Sequence, residues 1–368
     1  MPWCVRKCPY CDFNSHSLRE DIPETDYIDA LLKDLESELP GIWGRRIISI
    51  FIGGGTPSLF SGNAITRLIE GVRARLALLP GCEITLEANP GASDAQRFAA
   101  YHAAGVNRLS IGIQSFDNDK LETLGRIHNS DDADAAIGAA REAGFDNINL
   151  DLMFGLPQQT GDQALTDLNT ALGYKTPHLS LYQLTIEPNT EFAKHPPAVA
   201  DDDTLWNMQQ TLQQQLHISD YRNYEVSAYA QAQHQCKHNL NYWQFGDYLG
   251  IGAGAHSKIT SHDRIQRFAK RKHPRDYMRA AGTVDCKTGA RILSAADLRF
   301  EFMLNALRLT KSFDTGLFEQ HTRLPLAALE PALGQAMDKG WLTHEQQQIH
   351  TTETGRRFLN DVIGLFLE

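Results

Sequence analysis

Three thiols crowd the start of this chain. Cys4, Cys8 and Cys11 stand within "MPWCVRKCPYCDFNSH", three and then two residues apart, and no fourth cysteine follows on that stretch. Thiolates are soft ligands that select zinc or iron–sulfur clusters. Structural zinc almost always closes with four protein ligands. The nearest candidate fourth ligand is His16, so a Cys3His zinc site is one reading. A cubane cluster held by three cysteines is the other, and it leaves one iron free to take up a small molecule. The remaining cysteines, Cys82, Cys236 and Cys286, are scattered. That is not a disulfide framework, and it points to a reducing compartment with a metal or catalytic role for the loop.

Such a loop needs a scaffold, and residues 25 to 190 supply one. "RIISIFIGGGTP", "CEITLEANP", "NRLSIGIQSF", "NINLDLMFGLP" and "HLSLYQLTIEP" read as strands apolar on both faces, as in a helix-covered parallel sheet. Amphipathic helices fall between them, among them "TDYIDALLKDLESEL" with a Thr25 cap and "SDAQRFAAYHAAGV" with a Ser93 cap. Repeated β–α units build an open or closed barrel. Five strands are legible. No strand stands ahead of the cysteine loop, so a sixth, the first, is expected to be missing. Gly53, Gly54 and Gly55 let backbone approach a ligand closely where the first clear strand ends. Residues 1–200 are read as the barrel and 201–290 as an extension rich in aromatics, His and Gly. Residues 291–368 are read as a small winged-helix-like domain. The net charge of −10 argues against nucleic-acid binding. No run is apolar and long enough to cross a bilayer, and no leader is seen, so a cytoplasmic protein is expected.

The C-x3-C-x2-C loop followed by a GGTP strand end resembles the radical S-adenosylmethionine (SAM) superfamily. More narrowly, "PWCVRKCPYCDFNSH", "FIGGGTPSL", "EANPG", "VNRLSIGIQSF", "LGRIH", "NLDLMFGLP", "YQLTIEPNT" and "HNLNYW" resemble its HemW family of haem chaperones. These are relatives of the oxygen-independent coproporphyrinogen III oxidases. The similarity runs from residue 2 to the C-terminus. It implies a partial TIM-like (β/α)6 barrel and a [4Fe–4S] cluster on Cys4, Cys8 and Cys11, with SAM on the open iron. It also implies that Tyr10 sits by the adenine or simply packs, and that the Gly54–Gly55–Thr56 backbone meets the methionyl amino group. Glu87 and Gln114, at strand ends, suit hydrogen bonds to the ribose or the ammonium. Arg126 suits the SAM carboxylate, since a guanidinium fork matches a carboxylate. Asp151 would accept from a ribose hydroxyl.

The same resemblance carries the expectation of haem. In "HNLNYW", His238 is the candidate iron ligand, Tyr242 and Trp243 would cover the macrocycle, and Asn239 would orient the ring or a propionate. Cys236 is a second candidate ligand or attachment point, and His256 in "GAGAHS" a weaker one. The function implied is a chaperone that binds haem and passes it to apo-haemoproteins such as respiratory-chain enzymes. Homodimerisation and transient contact with a membrane surface fit that picture, and no side chain is assigned a catalytic role. The alternative is radical oxidative decarboxylation of coproporphyrinogen III. Those oxidases carry a further cysteine two residues after the third; Phe13 stands there in this chain and favours the chaperone. A radical enzyme acting on RNA is a third class, which the acidic balance disfavours.

Overall fold

The computed structural model describes residues 1–91 and 94–367. Strand β1 (Trp3–Cys4) pairs in parallel with β2 (His16–Ser17), so the cysteine loop is pinched at its base. Helix α1 (Glu24–Ile42) follows, and then the β–α alternation begins. It runs β3 (Arg46–Ile52), α2 (Gly62–Arg73), β4 (Ala77–Ala88), α3 (Asp94–Ala104), β5 (Arg108–Gln114), α4 (Asn118–Thr123), α5 (Ser130–Glu142), β6 (Ile148–Phe154), α6 (Gly161–Gly173) and β7 (His178–Gln183). These are the five strands legible in the sequence, and they are parallel in that order. Two short strands, β8 (Arg222–Asn223) and β9 (Ala228–Ala230), extend the sheet antiparallel, in the order β7-β9-β8. The result is a curled, seven-stranded half-barrel.

The expectation of strands apolar on both faces holds on one side only. Successive side chains alternate across a strand. Ile84, Leu86, Leu109, Ile111, Ile113, Leu150 and Leu152 pack under the helices. The opposite set is polar: Glu83, Thr85 and Glu87 on β4, Arg108, Ser110 and Gln114 on β5, Asn149 and Asp151 on β6, His178, Ser180 and Tyr182 on β7. That concave face holds a largely buried hydrogen-bonded network, partly covered by later segments of the chain, so hydrophobicity is not required of it.

Helix starts also differ in detail. Helix α1 begins at Glu24 after Pro23 with no side-chain cap, so Thr25 lies inside the first turn. The Glu24 carboxylate accepts from Ser61 N at 2.7 Å and Ser61 Oγ at 2.5 Å, tying α1 to the N-terminus of α2. Asn129 and Thr160 form capping boxes at α5 and α6. Ser93 lies outside the described residues.

Beyond the barrel strands come α7 (Glu191–Lys194), α8 (Asp202–Ile218) and α9 (Lys237–Trp243). The extension rich in aromatics, His and Gly also holds an antiparallel sheet of β10 (His256–Thr260), β11 (Ile265–Lys270) and β12 (Lys287–Ile292), with α10 (Pro274–Ala280) between the last two. Lys270 locks this sheet to α1: its Nζ lies 2.6 Å from both Asp34 and Glu38, all three buried. The C-terminal part has its own core around Phe302, Phe318 and Phe366. Its order is α11 (Ala295–Ala306), β13 (Phe313–Asp314), α12 (Thr315–Thr322), α13 (Ala332–Asp338), then the hairpin β14 (Leu342–Glu345) and β15 (Gln348–Thr351), and finally α14 (Glu353–Arg357) and α15 (Leu359–Gly364). That is the helix–strand–helix–helix–hairpin order of a winged helix.

Candidate functional site

The cysteine loop is built by backbone first. Leu18 N donates to Cys4 O at 2.9 Å and Cys11 N to Cys8 O at 3.1 Å. All three thiols are half-buried. Thr56 Oγ1 donates to Cys4 Sγ at 3.3 Å, and Arg126 Nη1 lies 3.9 Å from Cys8 Sγ. Burial pushes the Cys11 thiol up, and the Phe13 backbone pulls it back. The far end of the loop is clamped from the accessory sheet. Asn14 Nδ2 donates to Ala253 O at 3.0 Å and to Lys272 O at 2.9 Å. Gly254 makes that clamp possible. Its φ is +74°, and a Cβ there would meet Asn14 Nδ2 at 2.4 Å.

The donors fit a cluster better than a single ion. His16 does not turn toward the thiols; its ring packs edge-on against His273 at 5.3 Å. Among the described residues no three His, Cys, Asp or Glu side chains stand together as ligands of one metal ion would. A cubane spreads three thiolates around its own body, and three soft donors on one short loop suit that.

Beside the loop, strand ends converge. Gly54 N donates to Glu87 Oε2 at 3.1 Å, Gly55 N to Met1 O at 2.6 Å and Thr56 N to Trp3 O at 2.7 Å. These N–H groups are therefore engaged within the chain. What this segment can offer a cationic amino group is carbonyl oxygen, which is what an ammonium needs. Gln114, Arg126 and a residue the sequence reading missed, Asn89, meet over Gly112. Arg126 Nη2 donates to Asn89 Oδ1 and to Gly112 O, each at 2.7 Å, and Asn89 Nδ2 donates to Thr56 Oγ1 at 3.0 Å. A Cβ on Gly112 would lie 2.8 Å from Asn89 Oδ1 and 3.0 Å from Gln114 Nε2. Arg126 Nε is buried without a partner, so this guanidinium still has a donor for an anion such as a carboxylate. A cavity of about 210 Å³ opens here, lined by Cys8, Thr56, Asn89, Arg97 and Arg126.

Deeper on the concave face, Asp151 accepts from Ser110 Oγ at 2.9 Å and Asn149 Nδ2 at 2.8 Å. Burial raises its pKa, and those hydrogen bonds oppose the rise. Tyr10 packs with Leu124, Met153, Leu156, Leu184 and Phe192 beside Arg126, and burial pushes its hydroxyl well above the usual range. Glu87 is pushed up to about 7, first by burial, then by Asp151, against the pull of the Gly54 N–H.

The Glu87 shift gives a signed expectation. The unfolded chain releases this proton near 4.5 and the folded chain near 7. Between those values the folded state holds the extra proton, so stability falls as pH rises through the window and the loss is complete above it. Glu87→Gln can keep the Gly54 contact and carries no charge. It is expected to unfold at higher urea than wild type at pH 8 and at the same urea at pH 5. An equal difference at both pH values would contradict the buried-carboxyl account.

Helix α9 carries the other motif and sits against the concave face. Glu83 Oε1 accepts from His238 N at 3.2 Å and from Cys236 Sγ at 3.3 Å, and Glu83 pairs with buried Arg108 at 3.6 Å. A carboxylate at a helix N-terminus is favourable by charge and by hydrogen bonding. The His238 ring stacks on Phe51 with centroids 4.5 Å apart, and its ring nitrogens have no hydrogen-bond partner among the described residues. Burial lowers its pKa, which keeps the imidazole neutral and able to ligate. Tyr242 stacks on Tyr248 at 4.5 Å and donates to its hydroxyl at 3.0 Å. Trp243 lies under the guanidinium of Arg308 at 5.0 Å. Asn239 is half-buried on the same helix. The Cys236 thiol is pushed up to about 12 by burial, so it is no ready thiolate. His256 stands exposed at the start of β10.

The Radical SAM superfamily model matches residues 1–171, and the HemN C-terminal domain model matches residues 293–358. The whole chain is 49% identical to the heme chaperone HemW of Escherichia coli (strain K12), covering 96% of that protein. It is 48% identical to the heme chaperone HemW of Haemophilus influenzae, again over 96% of it. It is 32% identical to that of Bacillus subtilis (strain 168), over 97% of it. Among solved structures, coproporphyrinogen III oxidase (HemN) from Escherichia coli superposes with a TM-score of 0.83 at 22% identity, over 100% of this chain and 88% of that one. At that identity the likeness is one of fold.

Proposed function

The chain belongs to the HemW family of the radical SAM superfamily, and from that premise we propose that it is a cytoplasmic haem chaperone. It binds haem through α9 and passes it to apo-haemoproteins such as respiratory-chain enzymes. Cys4, Cys8 and Cys11 hold a [4Fe–4S] cluster with SAM on its open iron. Full-length identity of 49% to a protein named as a heme chaperone carries this reading most strongly. The neutral, unbonded imidazole of His238 supports it chemically, since imidazole is a common axial ligand of haem iron. No helix among the described residues is long and apolar enough to cross a membrane, so any membrane contact is peripheral to these helices.

The chain's own groups divide the work. When bound, the cluster with SAM supplies one-electron chemistry. Thr56 and Arg126 point donors at the sulfurs of Cys4 and Cys8. Arg126 also offers a free N–H to the SAM carboxylate, and Asn89 fixes its plane. Glu87 and the Gly54–Gly55–Thr56 backbone face the methionyl ammonium. Asp151, held by Ser110 and Asn149, accepts from the ribose, and Gln114 completes the polar wall. Tyr10 and its apolar neighbours lie where the adenine stacks. Tyr242 and Trp243 cover the macrocycle, and Asn239 orients it.

The test is anaerobic reconstitution with iron and sulfide, followed by haem titration with and without SAM. Saturable haem binding at one site per chain, and transfer to an apo-haemoprotein, are expected. Conversion of coproporphyrinogen III to protoporphyrinogen IX by the same preparation would instead make it an oxidase.

A further inference from the structure

Arg308 follows the last turn of α11, where Leu307 is the cap residue, and so belongs to the C-terminal part of the chain. It is half-buried, and its guanidinium lies 5.0 Å over the ring of Trp243, the last residue of the α9 motif. Its guanidinium makes no hydrogen bond and no short ion pair within the described residues, and its Nε is buried. The Trp243 Nε1 beside it is likewise buried without a partner. The buried carboxyl of Glu225 feels the Arg308 charge, which opposes the rise that burial gives it, but no hydrogen bond or short ion pair joins the two; Glu225 accepts from Ser227 N at 3.2 Å and Ser227 Oγ at 3.3 Å. A planar cation stacked on an indole, with its donor edge unengaged, is arranged to grip a planar anion bidentately.

We propose that Arg308, stacked on Trp243, is the carboxylate-recognising residue of the haem site, bonding a propionate of the tetrapyrrole. The proposal rests on the haem reading above and deepens it. His238 and Tyr242, four positions apart, share a face of α9 with ring centroids 6.1 Å apart, and Tyr242 packs edge-on against Trp243 at 5.7 Å. That row of rings leads from the imidazole to Arg308. It supplies the platform for the counter-ion. The counter-ion itself comes from the C-terminal part, so the cargo is read jointly by barrel and C-terminal region. Carboxylates also distinguish haem from an apolar disc of the same shape, which aromatic side chains alone do not.

The experiment titrates the reconstituted full chain with haem and with haem dimethyl ester, whose carboxylates are capped. Wild type is expected to prefer haem. Arg308→Met keeps the apolar stem over Trp243 but loses the charge. It should weaken haem binding by about tenfold to a hundredfold, the range for a charge-assisted hydrogen bond, and leave ester binding unchanged. The preference then disappears. Arg308→Lys should restore part of it, as a charge without the fork. Equal weakening toward both ligands would mean Arg308 only packs, and unchanged haem binding would mean it is not a ligand contact; either overturns the assignment. A wild-type protein that binds no haem overturns the chaperone reading and Arg308 with it. A wild-type protein that binds haem, with Arg308→Met unaltered, overturns Arg308 alone.

Discussion

Cys8→Ala is expected to leave the protein without its cluster: from about four iron and four sulfide per chain after anaerobic reconstitution to essentially none, as for a cubane deprived of one of only three protein ligands. Cys4→Ala and Cys11→Ala should do the same. The fold should survive. The loop is closed at its base by the β1–β2 pair and at its far end by Asn14, neither of which uses a thiol. Buried Cys82 and Cys286 supply the control. Their alanine variants remove a sulfur of similar chemistry from elsewhere in the chain, and iron content should stay at the wild-type level. Iron and acid-labile sulfide assays decide the matter. Wild-type protein that takes up zinc and no iron would end the cluster assignment, and so would a Cys8→Ala protein with full iron.

Parts of this architecture were open to reading from residue order, and others were not, for physical reasons. The five parallel strands announce themselves because half of each strand must be apolar to lie under helices. The polar half, Glu83, Thr85, Arg108 and Asn149 among them, escapes notice because it is buried against residues far along the chain, Glu83 on Cys236 and His238 and Arg108 on His234. Strands β8 and β9 are two and three residues long, too short for any period to register. The β10–β12 sheet mixes Lys, Arg and Gln into its strands. Two of those cations, Lys258 and Lys270, are buried on carboxylates, so a hydropathy pattern misplaces them at the surface. Asn14 and Ala253 are 239 positions apart in the chain, and no local signal links them. Asn89 stood inside the quoted "EANPG" without being singled out, since its importance comes from Arg126 arriving beside it. In contrast, the strand-end positions of Glu87 and Gln114 were legible from the strand pattern, whereas Asp151, expected to end its apolar segment, stands in the middle of β6.

His238→Ala is the second large effect, and it should separate the two cofactors. The imidazole is the one group on α9 able to ligate iron as it stands. It is neutral because burial disfavours its charged form, whereas the neighbouring Cys236 thiol keeps its proton up to about 12. Removing it should weaken haem binding at least tenfold and change the absorption spectrum of what still binds. Iron–sulfur content should remain at the wild-type level, because α9 and the cysteine loop are held by different partners, Glu83 for one and Thr56, Arg126 and Asn14 for the other. The competing account is that His238 is only a packing residue on Phe51. Loss of such a stacked pair costs about 0.5–1.5 kcal/mol, which would lower the unfolding midpoint without altering haem affinity or spectrum. His238→Phe discriminates the two, since it restores a ring on Phe51 without a ligand. If stability returns and haem binding does not, iron ligation is the role. Cys8→Ala should give the mirror image, with haem bound and iron–sulfur lost. Equal haem affinity and an identical spectrum in wild type and His238→Ala would remove His238 from the site and make Cys236 the next residue to replace.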